Sequence, residues 1–368
     1  MARFLHTADL QLGMPFCGIP DPDARASARK ARLESVDHIG EAARREKASF
    51  VVVAGDLFDA NTVDQRTVRE ARDRLAGIGL PTYILPGNHD HGGADSVYRS
   101  GAFTQQCPPN VTVLLDSNPR VVSEGEAVLL PAPLLRRHNE DPTRHLTAEL
   151  GRDLAPGAVR VGVAHGSVSD FGQSIAEGNR LDPALAEKAD LDYLALGDWH
   201  GAKQISPRTW YAGAPEPTGF KDNNPGRVLL VDIPGRGELP EVSELPVART
   251  RWLRHEAVLD SLERLDELER FLSGLENRRN TALRLELSGV LPLEACRRLE
   301  GILQEAEHGL LYLRLRGQGV LPAPTPAELS ELATEGYVRT AVERLGAMPS
   351  DEARRALHLL WRLRHAGA

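Results

Sequence analysis

A layered α/β domain, followed by a small α+β module and a helical tail, is the fold this sequence predicts. Two observations carry it. Short apolar runs alternate with amphipathic stretches up to about residue 233, and beyond a Pro/Gly/Glu-rich stretch at 234–248 the alternation restarts on a smaller scale.

Phe50-Val51-Val52-Val53-Ala54 and Thr82-Tyr83-Ile84-Leu85 are β-branched or aromatic runs closed by turn residues, the pattern of buried strands. Val159-Arg160-Val161-Gly162-Val163-Ala164 and Tyr193-Leu194-Ala195-Leu196 read the same way. Charged amphipathic stretches at 25–47 and 63–77 predict helices between the early runs. Such alternation places functional loops at the carboxyl ends of strands. Val228-Leu229-Leu230-Val231-Asp232-Ile233 closes this first domain, expected to span 1–248.

The module expected at 249–317 opens with a predicted strand at 251–259. Leu262, Leu265, Leu268, Leu272 and Leu275 then fall at helical spacing, and Leu283, Leu285 and Leu287 alternate as on a half-buried strand. Leu293, Cys296, Leu299 and Leu303 resume a helical stripe, and Leu311, Leu313 and Leu315 alternate again, giving a β-α-β-α-β order. The run from Gly317 to Pro326 reads as a linker. The remaining tail, 318–368, is expected to carry two amphipathic helices near 327–345 and 350–365.

A chain of 368 residues, 41% hydrophobic and 26% charged, has the size and composition to bury a substantial core. No apolar run approaches the length that spans a bilayer, and the opening residues turn polar too soon for a signal peptide. Cys17, Cys107 and Cys296 are odd in number and unpatterned, so a reducing, cytoplasmic location is expected. The formal net charge of −8 argues against a broad nucleic-acid-binding surface. A site holding divalent cations would carry its own positive charge, so phosphodiester chemistry stays open.

Five short motifs stand where strands are predicted to end: His6-Thr7-Ala8-Asp9-Leu10-Gln11, Gly55-Asp56-Leu57-Phe58-Asp59, Gly87-Asn88-His89-Asp90, His165-Gly166 and Gly197-Asp198-Trp199-His200. Together they supply carboxylates, amides and imidazoles, the mixed oxygen and nitrogen ligand set of first-row divalent metals. Two such ions can share a carboxylate, activate a water and clamp a phosphate. Asp56 or Asn88 alone would read as an ordinary turn residue; the ordered set does not.

In order and context the motifs resemble the calcineurin-like metallophosphoesterase superfamily. The wording Leu5-His6-Thr7-Ala8-Asp9 and Gly55-Asp56-Leu57-Phe58-Asp59 is similar to its DNA-repair nuclease branch, typified by SbcD-type nucleases and stand-alone manganese-dependent DNA endonucleases. The resemblance implies a β-sheet sandwich flanked by helices over about 1–233, with the second module as a capping domain. It implies that Asp56 bridges two divalent ions. Asp9 and His200 would complete one metal site, with Gln11 where the family has histidine. Asn88 and His165 would complete the other, with Asp198 at the family's second departed histidine. His89 would face the phosphate or leaving group, with Asp90 orienting it. The two departures leave open a site that holds one ion or none.

Manganese is the expected metal, because an amide and a carboxylate oxygen replace two imidazoles. The resemblance implies a DNA nuclease, and the lack of a dominant basic stripe, with aromatics near the cleft, makes single-strand, endonucleolytic cleavage the expected activity. The alternatives are the nuclease subunit of an ATP-driven SbcCD-like complex, with a coiled-coil ATPase partner, and a small-molecule phosphodiesterase. The tail helices are candidates for partner or homodimer contacts through Leu357, Leu360, Trp361 and Arg364. His6 reads as a core histidine and His91 as a loop residue. Phe16, Phe171, Trp199, Trp210, Tyr211 and Phe220 near the loops read as packing before base stacking. Arg136-Arg137 and Arg278-Arg279 read as solvated before phosphate-binding.

Overall fold

The computed structural model describes residues 1–168, 178–220, 224–323, 336–348, 350, 352–353, 356–357 and 359–360. The chain divides into two compact units, Met1–Arg251 and Trp252–Ala368.

The first unit holds two six-stranded sheets. One runs, in spatial order, Glu241–Pro246, Arg227–Ile233, Ala2–Thr7, Phe50–Ala54, Thr82–Leu85 and Val111–Val113. The other runs Lys203–Ser206, Thr209–Tyr211, Tyr193–Gly197, Val159–His165, Ala127–Ala132 and Arg120–Val122. Phe4, Val52, Leu85 and Val231 of the first sheet pack against Leu129, Val161, Val163 and Tyr193 of the second. On its other face the first sheet offers Leu5, Val51, Val53 and Ile84 to the helices Pro22–Arg45 and Gln65–Ile78, which answer with Val36, Ile39, Val68 and Leu75. Burial on both faces is why the central strands read as continuous apolar runs rather than alternating ones. Leu130, Leu194 and Leu196 pack with Leu146, Leu185 and Leu191 beyond the second sheet. The layered α/β sandwich expected from sequence is the fold observed.

Both long helices begin where the chain supplies caps. The Asp21 carboxylate accepts from the Ala24 amide at 2.6 Å ahead of Pro22, and Asp64 accepts from the Thr67 amide at 2.9 Å.

The second unit contains a three-stranded sheet ordered Arg251–Leu259, Thr281–Leu291, Tyr312–Pro322, with the helices Leu262–Ser273 and Leu293–Gly309. Leu265, Leu268 and Leu299 bury against Leu283, Leu285 and Leu287. One expectation fails here. Gly317 to Pro322 is strand, not linker: Glu286 pairs with Arg316 and Ser288 with Gly319, so Leu287 faces two residues across a bulge. Gly317 sits there at φ 99°, and a Cβ would lie 2.5 Å from the Leu287 carbonyl oxygen. A glycine that makes a bulge looks, in sequence, like one that breaks a strand.

In the tail, Gly336–Gly346 is helical, and Val342 buries with Leu357 beside Val338, Leu345 and Leu360. Residues 327–335, Trp361 and Arg364 lie outside the described residues, as does Phe171. Among the described residues, no helix is long and apolar enough to cross a membrane.

Candidate metal centre

Within each sheet the site-bearing strands run parallel to one another: Ala2–Thr7, Phe50–Ala54 and Thr82–Leu85 in one, Val159–His165 and Tyr193–Gly197 in the other. Their carboxyl ends deliver the five motifs to one edge. The first two loops are tied together, with the Asp9 amide donating to the Gly55 carbonyl at 3.1 Å and the Gln11 amide to the Asp56 carbonyl at 2.9 Å. Asp9, Gln11, Asp56 and Asp198 adopt φ of 56°, 44°, 53° and 105°, a left-handed backbone that costs free energy for residues with side chains. Strain concentrated at four such positions is typical of sites where side-chain aim outweighs backbone comfort. At Gly55 the approach of the imidazole decides the residue: a Cβ would lie 2.1 Å from His165 Nδ1.

The centre of the cluster is Asp9, Asp56 and His165, whose ligand atoms all lie within 4.8 Å of one another and which are all buried. His165 Nδ1 donates to the Ala54 carbonyl at 2.9 Å. Its Nε2 then faces Asn88 Oδ1 at 2.9 Å, Asp56 Oδ2 at 3.5 Å and Asp198 Oδ1 at 3.9 Å. Burial opposes charge on this ring, but Asp56, Asp9 and Asp198 outweigh it and hold the imidazole well above its usual pKa. Burial pushes the Asp9 carboxyl up to about 8, with His165 pulling against it and Asp56 and Asp198 adding to it. Three carboxylates around one buried imidazole, two of them buried and Asp198 partly exposed, are a surplus of negative charge that suits divalent cations.

The other half of the edge is arranged differently. Gln11 Nε2 lies 3.3 Å from His200 Nε2, and the Gln11 side-chain oxygen Oε1 is buried with no hydrogen-bond partner among the described residues. His200 Nδ1 is 3.4 Å from Thr218 Oγ1. The Asp198 amide donates to both Asp9 oxygens, at 3.1 and 3.2 Å, and Ser167 Oγ donates to Asp198 Oδ2 at 2.6 Å. An orphaned buried amide oxygen on a side chain that meets an imidazole fits a cation ligand. The donor set present is therefore compatible with divalent metal in both halves.

His89 donates its backbone amide to Asp56 Oδ1 at 2.9 Å, and its ring Nδ1 donates to the Asp59 carbonyl at 2.8 Å. The expectation that Asp90 orients this ring is corrected. Asp90 is fully buried, with Oδ1 accepting from the Gly87 amide at 2.7 Å and Oδ2 from the Phe58 amide and the Tyr98 hydroxyl at 3.0 and 2.5 Å. It fixes the shape of the loop that carries Asn88 and His89, and the peptide of Asp59 orients the imidazole.

The structure thus brings Asp9, Gln11, Asp56, Asn88, His89, His165, Asp198 and His200 to one sheet edge. His6 is buried, its Nδ1 3.0 Å from the Tyr193 hydroxyl. Tyr211 is a packing residue whose hydroxyl donates to the Gly166 carbonyl at 2.7 Å, and the Lys203 ammonium lies 4.9 Å from the Trp199 ring centroid. Sequence reasoning missed Ser167, Thr218 and Arg32. Ser167 stands two residues past His165 and was open to notice. Arg32 was visible as a charge on the buried stripe of the first helix, between Ala28 and Ser35. Thr218 had no local signal.

The sequence profile of the calcineurin-like phosphoesterases matches residues 2–202, more than half of the chain and every motif described above. The chain belongs to that family. Its members are metal-using hydrolases of phosphoesters. Similar proteins include YhaO of Bacillus subtilis, an uncharacterised metallophosphoesterase, 29% identical over 255 residues that cover 62% of this chain and 57% of YhaO. The DNA double-strand break repair protein Mre11 of Aeropyrum pernix is 26% identical over 262 residues, covering 67% of this chain and 61% of Mre11. SbcD, one of the subunits of the Escherichia coli nuclease SbcCD, is 26% identical over 293 residues, covering 68% of this chain and 69% of SbcD. The chain therefore spans less than two thirds of the length of the first two.

Proposed function

We propose that this phosphoesterase is a binuclear, manganese-dependent phosphodiesterase that cleaves DNA, with single-stranded DNA cut endonucleolytically in repair. The observation that supports it most is the placement of Asp56. Its Oδ1 accepts from the His89 amide while its Oδ2 faces His165, so one buried carboxylate adjoins the phosphate-facing loop and the ligand cluster together. In this reading Asp9, Gln11, Asp56 and His200 hold one cation, and Asp56, Asn88, His165 and Asp198 the other. Bound divalent ions supply Lewis acidity toward phosphate oxygens and a more acidic attacking water. With Nδ1 committed to the Asp59 carbonyl, His89 presents Nε2 to the phosphate or the departing oxygen, where it donates a proton. The similarity to Mre11 and to SbcD supports DNA as the polymer.

The test is the purified chain with manganese on circular single-stranded DNA. A circle has no ends, so linearisation reports endonuclease action, and an intact circle beside hydrolysis of a model diester points to a small-molecule substrate. The likeness to SbcD also favours a second reading, a nuclease subunit that works with a coiled-coil ATPase, docked through tail helices such as Gly336–Gly346. A chain that stays monomeric, with unchanged DNA cleavage after truncation near residue 322, would count against it.

A further inference from the structure

Arg32 lies in the middle of the helix Pro22–Arg45 and is 2% exposed. A buried charge of this kind is costly unless hydrogen bonds repay its lost hydration. Four backbone carbonyls do so. Arg32 Nε donates to Leu10 at 2.8 Å, Nη2 to Asp9 at 3.0 Å, and Nη1 to Glu216 at 3.1 Å and Pro217 at 3.5 Å. An apolar side chain would fill the same space without the cost, so the carbonyls it gathers are informative.

They belong to two loops. Asp9 and Leu10 lie in the loop that aims the Asp9 and Gln11 side chains with left-handed backbone at both. Glu216 and Pro217 lead directly into Thr218, the hydroxyl beside His200 Nδ1. The Glu216 carboxylate is engaged elsewhere, accepting from the Arg249 amide and from the amide and hydroxyl of Thr250. It anchors its own loop and leaves the carbonyl to Arg32. None of these four hydrogen bonds reaches the loops of Asn88 or His165.

We infer that Arg32 is a positioning residue for one half of the metal centre, the half of Asp9, Gln11 and His200, and that it reaches the Asn88 and His165 half only through Asp9. The planar guanidinium spans two loops at once. A lysine ammonium carries the same charge but lacks the fork, so it can cap one loop and not the pair. The inference rests on the two-ion reading above.

The experiment titrates manganese into the metal-stripped full chain, counting bound ions by equilibrium dialysis and following pairing of the ions by electron paramagnetic resonance. Wild type is expected to bind two ions and show a coupled pair. Arg32→Lys should keep the ion of the Asn88 and His165 half, taken as the tighter of the two, near its wild-type affinity and weaken the other by about tenfold or more, with the spectrum of isolated ions at intermediate manganese. Arg32→Gln should weaken the same ion further. Two ions at wild-type affinity in Arg32→Lys would overturn the inference and leave the two-ion reading standing. So would parallel loss of both ions, or unfolding of both variants at the temperature of the assay, since either marks a general structural role. A wild type that binds fewer than two ions would bring down the two-ion reading, and this inference with it.

Discussion

The two halves of the proposed metal centre share a sheet edge and, in the two-ion reading, the Asp56 carboxylate, but differ in how their side chains are held. On the Asn88 and His165 side, His165, Asn88 and Asp198 each have a close hydrogen-bond partner. The imidazole is pinned by the Ala54 carbonyl, Asn88 Oδ1 meets it at 2.9 Å, and Ser167 holds Asp198 at 2.6 Å. On the Gln11 and His200 side two contacts are long, 3.3 and 3.4 Å, and the Gln11 side-chain oxygen has no partner among the described residues. Each half carries one oxygen donor where the resemblance expects imidazole, yet only Asp198 has a side-chain oxygen held by a hydrogen bond. The lesson is that replacing a ligand type and preorganising its replacement are separate matters, and metal affinity follows the second.

The largest effect should come from removing what the halves share. Asp56→Ala is expected to abolish hydrolysis of DNA and of a model diester, a fall of at least ~1,000-fold, and to leave neither ion bound. Retention of one tightly bound ion by elemental analysis would show that the halves are independent and that Asp56 is not their bridge. Next in size is His89→Ala. It should lower turnover by about a hundredfold while manganese content stays at the wild-type level, because this ring answers to the Asp59 carbonyl and to substrate rather than to metal. Loss of metal in that variant would move His89 into the ligand set.

A smaller effect separates the halves. Ser167→Ala removes the hydroxyl that donates to Asp198 and should weaken the ion on that side by about tenfold, leaving the other unchanged. Set beside Arg32→Lys, which acts on the opposite side, it makes a pair of variants whose effects on stepwise manganese binding should be complementary. Equal weakening of both ions by Ser167→Ala would show that the asymmetry is geometric only.

How much of this could be read in the sequence depends on whether a signal was local. The buried strands Phe50–Ala54 and Val159–His165 were legible because double burial forces continuous apolar runs. The motif loops were legible because each follows such a run. Arg32 acts through carbonyls of residues up to 185 positions away, which no local pattern encodes. Asp90 was misread because adjacency in sequence suggested contact with His89, whereas its carboxylate turns inward to Gly87, Phe58 and Tyr98. Gly317 was misread because a bulge and a breaker share a residue.

The smallest expected effect on rate, and the sharpest on identity, concerns which metal works. Gln11 and Asp198 offer oxygen, and with Asp9 and Asp56 they make a harder donor set than one with imidazole at both places. Hard donors favour manganese or magnesium, and magnesium is the poorer of the two because it sheds water reluctantly and the site also contains His165 and His200. Manganese should therefore be the best activator of the wild type, with zinc giving little turnover. Gln11→His combined with Asp198→His should shift the preference toward zinc or cobalt, while the manganese rate changes by only about tenfold or less. The single variants divide the comparison further. Asp198→His breaks a built-in hydrogen bond to Ser167 and should cost affinity before it alters preference. Gln11→His replaces a side chain whose oxygen has no partner among the described residues and should alter preference at little cost. A metal screen on the stripped wild type, both single variants and the double variant decides this, and equal wild-type turnover with zinc and manganese would defeat the hard-donor argument.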